Sequence, residues 1–177
     1  MMELLRQDEE TPATYPAGPS GLSTEAQGLH PAMVWERLEG FTAHRWAERT
    51  VTWVVEGPGW FVLPLKPAII DSSEVWNGSA WETTALIEAP IGYSLEASTY
   101  RVIATVGGGP IPEDVLEAYR RFAEYVVDTS DMGRVVTSSS EDVGGISLSV
   151  KRPVGWLAKA IHYSGAADLL RRYRSRY

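Results

Sequence analysis

The sequence predicts an α+β protein, with helices on either side of a β-rich middle and an extended arm at each end. Three observations predict it. Residues 112–127 repeat apolar side chains at helical spacing, and residues 50–106 alternate apolar and polar between Gly, Pro and Asn-Gly breaks. Residues 8–28 (DEETPATYPAGPSGLSTEAQG) show no apolar period at all. With 177 residues, 44% of them hydrophobic, the chain can bury one core. The expected organisation is an extended or disordered arm over 1–29 and a single domain over 30–177.

The first helix is predicted over 31–46: Pro31 opens it, Val34, Leu38 and Phe41 share a face with Trp35 beside them, and Trp46 continues the stripe. In TVTWVVEG, Val51, Trp53 and Val55 alternate as in a strand. The turn GPG at 57–59 then predicts WFVLPL as the returning strand, and Pro64 and Pro67 place it at a sheet edge. IIDSSEVW and SAWETTALI flank Asn77-Gly78, a type I′ hairpin signal. YSLE and TYRVIATV add further strands. The helix over 112–127 starts at Pro112 with Glu113 and Asp114 in its first turn. It presents Val115, Leu116, Tyr119, Phe122, Ala123 and Val126 on one face and pairs Glu117 with Arg121. Residues 128–147 are polar and Gly/Ser-rich and predict a mobile loop, with a short strand pair at 134–137 and 146–150. A C-terminal helix and basic tail are predicted over 154–177, with Ser164-Gly165 breaking the helix in two.

Charge is unevenly placed. Residues 151–177 carry seven basic residues against Asp168 alone, whereas residues 1–150 hold nine basic and 22 acidic residues; the net charge is -7. A basic end on an acidic body points to a negative partner: nucleic acid, a neighbouring copy, or an acidic protein. The plain alternative is a solvated charged terminus. There is no cysteine, so disulfide and thiolate chemistry are excluded. No apolar run approaches bilayer-spanning length, and MMELLRQDEE lacks the features of a signal peptide. The expectation is a protein made and kept in the cytoplasm, or assembled there into something larger, with no membrane contact.

No residue pattern carries catalysis. TYRVIATVGGGPIPEDV has the strand–glycine–helix order of a phosphate loop. It lacks both G-x-G-x-x-G and G-x-x-x-x-G-K-[ST], and its prolines remove backbone donors. His30, His44 and His162 have no metal-ligand spacing, so neither a metal nor a cofactor is expected. His44 falls at a helix end, and His162 is expected at an interface or in the core. Ser164-Gly165 is only half of a nucleophile elbow. Seven tryptophans are many for this length, and Trp53, Trp60, Trp76 and Trp81 all fall in the β segment, where core packing and subunit docking both favour them. Arginine interleaved with tyrosine in RRYRSRY also suits stacking on nucleic acid, which leaves a small nucleic-acid-binding module as an alternative; an uncharacterised enzyme is a weaker one.

The order of a helix ending in HRW, a β segment with WFVLPLKPAII, the helix IPEDVLEAYRRFAEYV and the ending WLAKAIHYSGAADLLRRYR resembles the head–tail connector (adaptor) proteins of long-tailed bacteriophages and gene transfer agents. The resemblance covers residues 31–177, although such adaptors often begin with an additional apolar helix where residues 8–28 are rich in Pro and Gly. It implies a small bundle of two to four helices with the antiparallel β segment inserted. It also implies a non-enzymatic structural role in the virion neck, between capsid and tail, after assembly in the host cytoplasm. Such adaptors form a homo-oligomeric ring, commonly a dodecamer, beneath the portal protein. The ring extends the DNA channel and meets a stopper or tail-terminator below. DNA passes through without specific binding, which an acidic lining favours because like charges repel. On this reading Leu169, Leu170, Arg171, Arg172, Tyr173, Arg174, Arg176 and Tyr177 bind the portal or a neighbouring copy. Trp60, Trp76 and Trp81 then meet the next subunit or the stopper.

Overall fold

The computed structural model describes residues 1–135, 140–143, 146–149 and 159–174. They fall into two compact units. The first, the sheet unit, comprises Met1–Pro16 and Ala43–Pro110; the second, the helix unit, comprises Ala17–Thr42 and Ile111–Arg174.

The sheet unit holds two antiparallel sheets. Strands β1 (Glu3–Glu9), β2 (Arg49–Glu56), β4 (Ala68–Trp76), β5 (Trp81–Thr83) and β8 (Thr99–Val106) form one, in the order β1-β2-β8-β4-β5. Strands β3 (Gly59–Phe61), β6 (Ile87–Glu88) and β7 (Tyr93–Leu95) form the other, in the order β3-β7-β6. Period-two alternation decides the faces. β8 buries Tyr100, Val102, Ala104 and Val106, and β2 buries Val51, Trp53 and Val55. Phe61 and Leu95 of the second sheet join the same core, with the Phe61 ring 6.0 Å from Trp53, edge to face. Each of the Val, Leu and Phe side chains among them contributes about 1.5–3 kcal/mol by leaving water.

In the helix unit, α3 (Glu113–Val135) is the organising element. Its buried face is Val115, Ala118, Tyr119, Phe122, Ala123 and Val126. The short α1 (Thr24–Gln27) is tied to it by Glu124, which accepts from the N–H and Oγ of Ser23, both at 2.7 Å. Helix α2 (Pro31–Phe41) buries Val34, Trp35 and Leu38 and sets Trp35 against Tyr119 at 5.0 Å. After α3, β9 (Ser140–Val143) pairs with β10 (Ile146–Ser149), and the short α4 (Ala160–Tyr163) and α5 (Ala166–Leu169) follow.

Several expectations are corrected. The chain is a mixed fold in which strand and helix content are comparable, and a helical bundle with an inserted β segment is not what forms. Among the described helices α3 has 23 residues and α2 has 11, while α1, α4 and α5 have four each, too short to line a bundle. The sheets also own their core instead of being an insertion into another. The N-terminal arm is not featureless, because residues 3–9 are β1. Polar bonds hold this strand: Trp53 Nε1 donates to Gln7 at 2.9 Å, and Glu9 receives Arg45 and Arg49. Hydrophobic alternation cannot reveal such a strand. The first helix stops at Phe41, where the Thr42 hydroxyl donates back to the Leu38 carbonyl, so Trp46 belongs to the sheet unit instead. β3 does not return along β2; it pairs with β7. The Asn77-Gly78 hairpin has a four-residue loop: Trp76 faces Trp81, and Asn77 Oδ1 accepts from the N–H groups of Ser79 and Ala80. Helix α3 extends to Val135 into the expected loop; residues 136–139, 144–145 and 150–158, which include the predicted helix start at 154, lie outside the described residues.

Candidate functional site

The C-terminal segment is built as a short, docked knob. Gly165, at φ +76°, separates α4 from α5 as the sequence predicts, and Ser164 Oγ accepts from the Ala166 N–H at 3.3 Å. Leu169 is half-buried and Leu170 is fully buried, so Leu170 anchors the segment to its own unit and presents nothing to a partner. A single 3-10 turn over Arg171–Tyr173 follows. Arg172 Nη2 lies 2.9 Å from Asp114 Oδ2, and the Tyr173 hydroxyl donates to Asp114 Oδ1 at 3.0 Å. Asp114 is in the first turn of α3, where a carboxylate is favoured by the helix N-terminus as well. Burial pushes the Tyr173 phenol up, the Arg172 contact pulls the other way, and Asp114 adds to burial; the phenol stays protonated and donates. Arg174 places its guanidinium 4.8 Å from the Phe41 ring centre, and the His162 ring meets Phe41 edge-on at 5.3 Å. Arg171 is exposed, with no ion pair among the described residues. Arg176 and Tyr177 lie outside the described residues.

Compared with protein-family models, curated proteins and solved structures, the chain matches none. A functional reading therefore rests on its own residues.

The three tryptophans proposed as contact residues are not equivalent. Trp76 and Trp81 form a cross-strand pair at 5.3 Å, and Arg101, itself paired to Glu74, lies 4.7 Å over Trp81. These two satisfy one another at a hairpin end, which is how cross-strand aromatic pairs stabilise a hairpin. Trp60 is 54% exposed and has no ring partner among the described residues. It shares an exposed row with Ser94 and Ile87, which the sequence reading missed. The signal was available only through pairing register: β3 and β6 both flank β7, and no local pattern states that.

The remaining sequence candidates are accounted for by packing. The glycine run is spent on backbone contacts: Gly107 donates to the Pro67 carbonyl at 3.0 Å and Gly108 to that of Trp46 at 3.3 Å. A Cβ on Gly107 would lie 2.4 Å from the Ala47 carbonyl oxygen, so close approach, not phosphate, explains the residue. His44 is half-buried against Trp46 at 5.3 Å; burial first, then the Lys66 and Arg45 charges, lower its pKa. The Ser164 hydroxyl donates to the Ile161 carbonyl at 3.2 Å. Among the described residues there is no cluster of three metal-ligating side chains and no helix long and apolar enough to cross a membrane.

Proposed function

We propose that this protein is a head–tail adaptor of a phage-like particle, one of several copies arranged side by side beneath a portal. In that role it joins the capsid to the stopper or tail and lets DNA pass a largely acidic body. The observation that carries this reading is the pinned basic knob. Arg172, Tyr173 and Arg174 are held by Asp114 and Phe41 on an otherwise acidic chain. A knob ordered before binding loses less side-chain entropy on docking than a loose tail does. Arginine and tyrosine are frequent interface anchors, and the planar guanidinium pairs bidentately with carboxylates. The nucleic-acid module is less favoured, because Asp114 stands among the arginines and would face any phosphate they approached.

The test uses point variants, since a truncation that removed the fully buried Leu170 would disturb the fold itself. The double variant Arg171→Glu/Arg174→Glu should keep the wild-type melting temperature and lose attachment to portal-containing, tail-less heads by at least tenfold in a sedimentation assay. Attachment at the wild-type level would overturn the role. Wild-type protein that binds duplex DNA with a steep salt dependence, and not heads, would favour the nucleic-acid module.

A further inference from the structure

We propose that Asn77 is a site of self-driven covalent modification. The loop over 77–80 carries its side-chain amide to a cyclic imide, which water opens to aspartate and isoaspartate. This goes beyond the adaptor reading and does not depend on it. Asn77 is the only asparagine in the chain, and Gly78 follows it. The backbone nitrogen of a glycine has no side chain beside it, so it can approach the preceding amide carbon without hindrance.

The hairpin holds this loop closed. Trp76 pairs with Trp81, and the Asn77 N–H donates to the Ala80 carbonyl at 3.1 Å. Inside the loop the Asn77 side chain is engaged at both ends. Its Oδ1 accepts from the N–H groups of Ser79 at 2.9 Å and Ala80 at 2.8 Å, and from the Ser79 hydroxyl at 3.0 Å. Its Nδ2 donates to the Glu82 carboxylate. The Gly78 N–H, in contrast, has no acceptor among the described residues. Gly78 sits at φ +98° with open space where a side chain would stand. Residues 77–80 and Glu82 are all exposed, so water reaches the loop.

The step balances. The Gly78 nitrogen gives up its proton and bonds to Asn77 Cγ, while the carbonyl electron pair moves onto Oδ1. Three donors already meet that oxygen, and they gain more from an oxyanion than from a neutral carbonyl. When the carbonyl re-forms, the Cγ–Nδ2 bond breaks and Nδ2 leaves as ammonia with the proton that Gly78 lost. The Glu82 carboxylate, bonded to Nδ2, is placed to relay that proton. Water then adds across one of the two ring C–N bonds, giving aspartate or isoaspartate. One water enters, one ammonia departs, and nothing is oxidised or reduced. The product has lost its donor to Glu82 and sets a second carboxylate beside it. Like charges repel at that spacing, so the hairpin end closed by Trp76 and Trp81 loosens.

A single asparagine makes the test direct. Full-length protein is kept folded at neutral pH in heavy-oxygen water, beside the same chain held unfolded in urea. The peptide containing Asn77 is followed in both by mass spectrometry. The expected result is loss of the amide with uptake of one heavy oxygen, isoaspartate among the products, and a rate at least about threefold higher folded than unfolded. Glu82→Gln and Ser79→Ala should each slow the folded chain by about threefold or more and leave the rate in urea unchanged. Ser79→Ala serves alone should Glu82→Gln fail to fold by circular dichroism. A folded chain that reacts no faster than the unfolded one, or folded variants that keep the wild-type rate, overturns the proposal.

Discussion

The two ends of the chain are fastened by the same chemistry in different surroundings. At the N-terminal strand, Glu9 receives Arg45 twice, at 2.5 and 3.0 Å, and Arg49 once, at 2.9 Å. Both guanidinium groups are nearly buried, and Arg49 also lies over the Tyr15 ring at 5.5 Å. At the C-terminal knob, one arginine meets Asp114 at the surface, with its side chain 64% exposed. Water competes with the second contact and hardly at all with the first, so an ion pair that looks alike in distance differs in what it holds. The strand is a fixed part of the sheet. The knob is held by a contact that water can replace.

The largest expected effect comes from breaking the strand's anchor. Glu9→Gln removes the charge facing two sequestered guanidinium groups and should destabilise the sheet unit by about 2–3 kcal/mol in urea unfolding, below the roughly 3–5 kcal/mol of a fully buried pair. The same residue sets a pH dependence. Burial alone would raise its carboxyl; the hydrogen bond and charge of Arg45, with the charge and hydrogen bond of Arg49, outweigh burial and hold it below its ordinary value. A carboxyl more acidic folded than unfolded gives its full stabilisation above the unfolded pKa, about 4.3. That stabilisation is lost as pH falls through the depressed folded value. The variant should therefore show a shallower loss of stability in acid than the wild type; equal slopes would show that Glu9 is not the anchor. Next in size, Gln7→Ala strands the fully buried Trp53 indole N–H and should cost about 1–2 kcal/mol. The smallest effect belongs to the knob. Asp114→Asn should leave the unfolding midpoint unchanged while hydrogen exchange of residues 171–174 speeds up. A midpoint shift as large as that of Glu9→Gln would erase the distinction between the two ends.

Legibility in the sequence follows the same division. Helix α3 was readable from its apolar spacing and from the Glu117–Arg121 pair, which forms at 2.8 Å, because both are local. The inward faces of β2 and β8 were readable from alternation. What was not readable depends on partners distant in sequence. β1 is joined to β2 by polar bonds across more than forty positions, and β3 leaves its neighbour β2 for β7. The tail's arginines could be seen as a basic cluster, but Asp114 and Phe41, which hold them, carry no local mark of that task. The tryptophans were visible as candidates, yet only register separates Trp60, with no ring partner among the described residues, from Trp76 and Trp81, which face one another across a hairpin.

The slip in β1 between Leu4 and Arg6, on a strand that also bears the Arg6–Asp8 pair, has a consequence for assembly. A kinked, charged margin is a poor template for a foreign backbone. A backbone that meets this edge finds no even ladder to extend, and the sheet stops at β1.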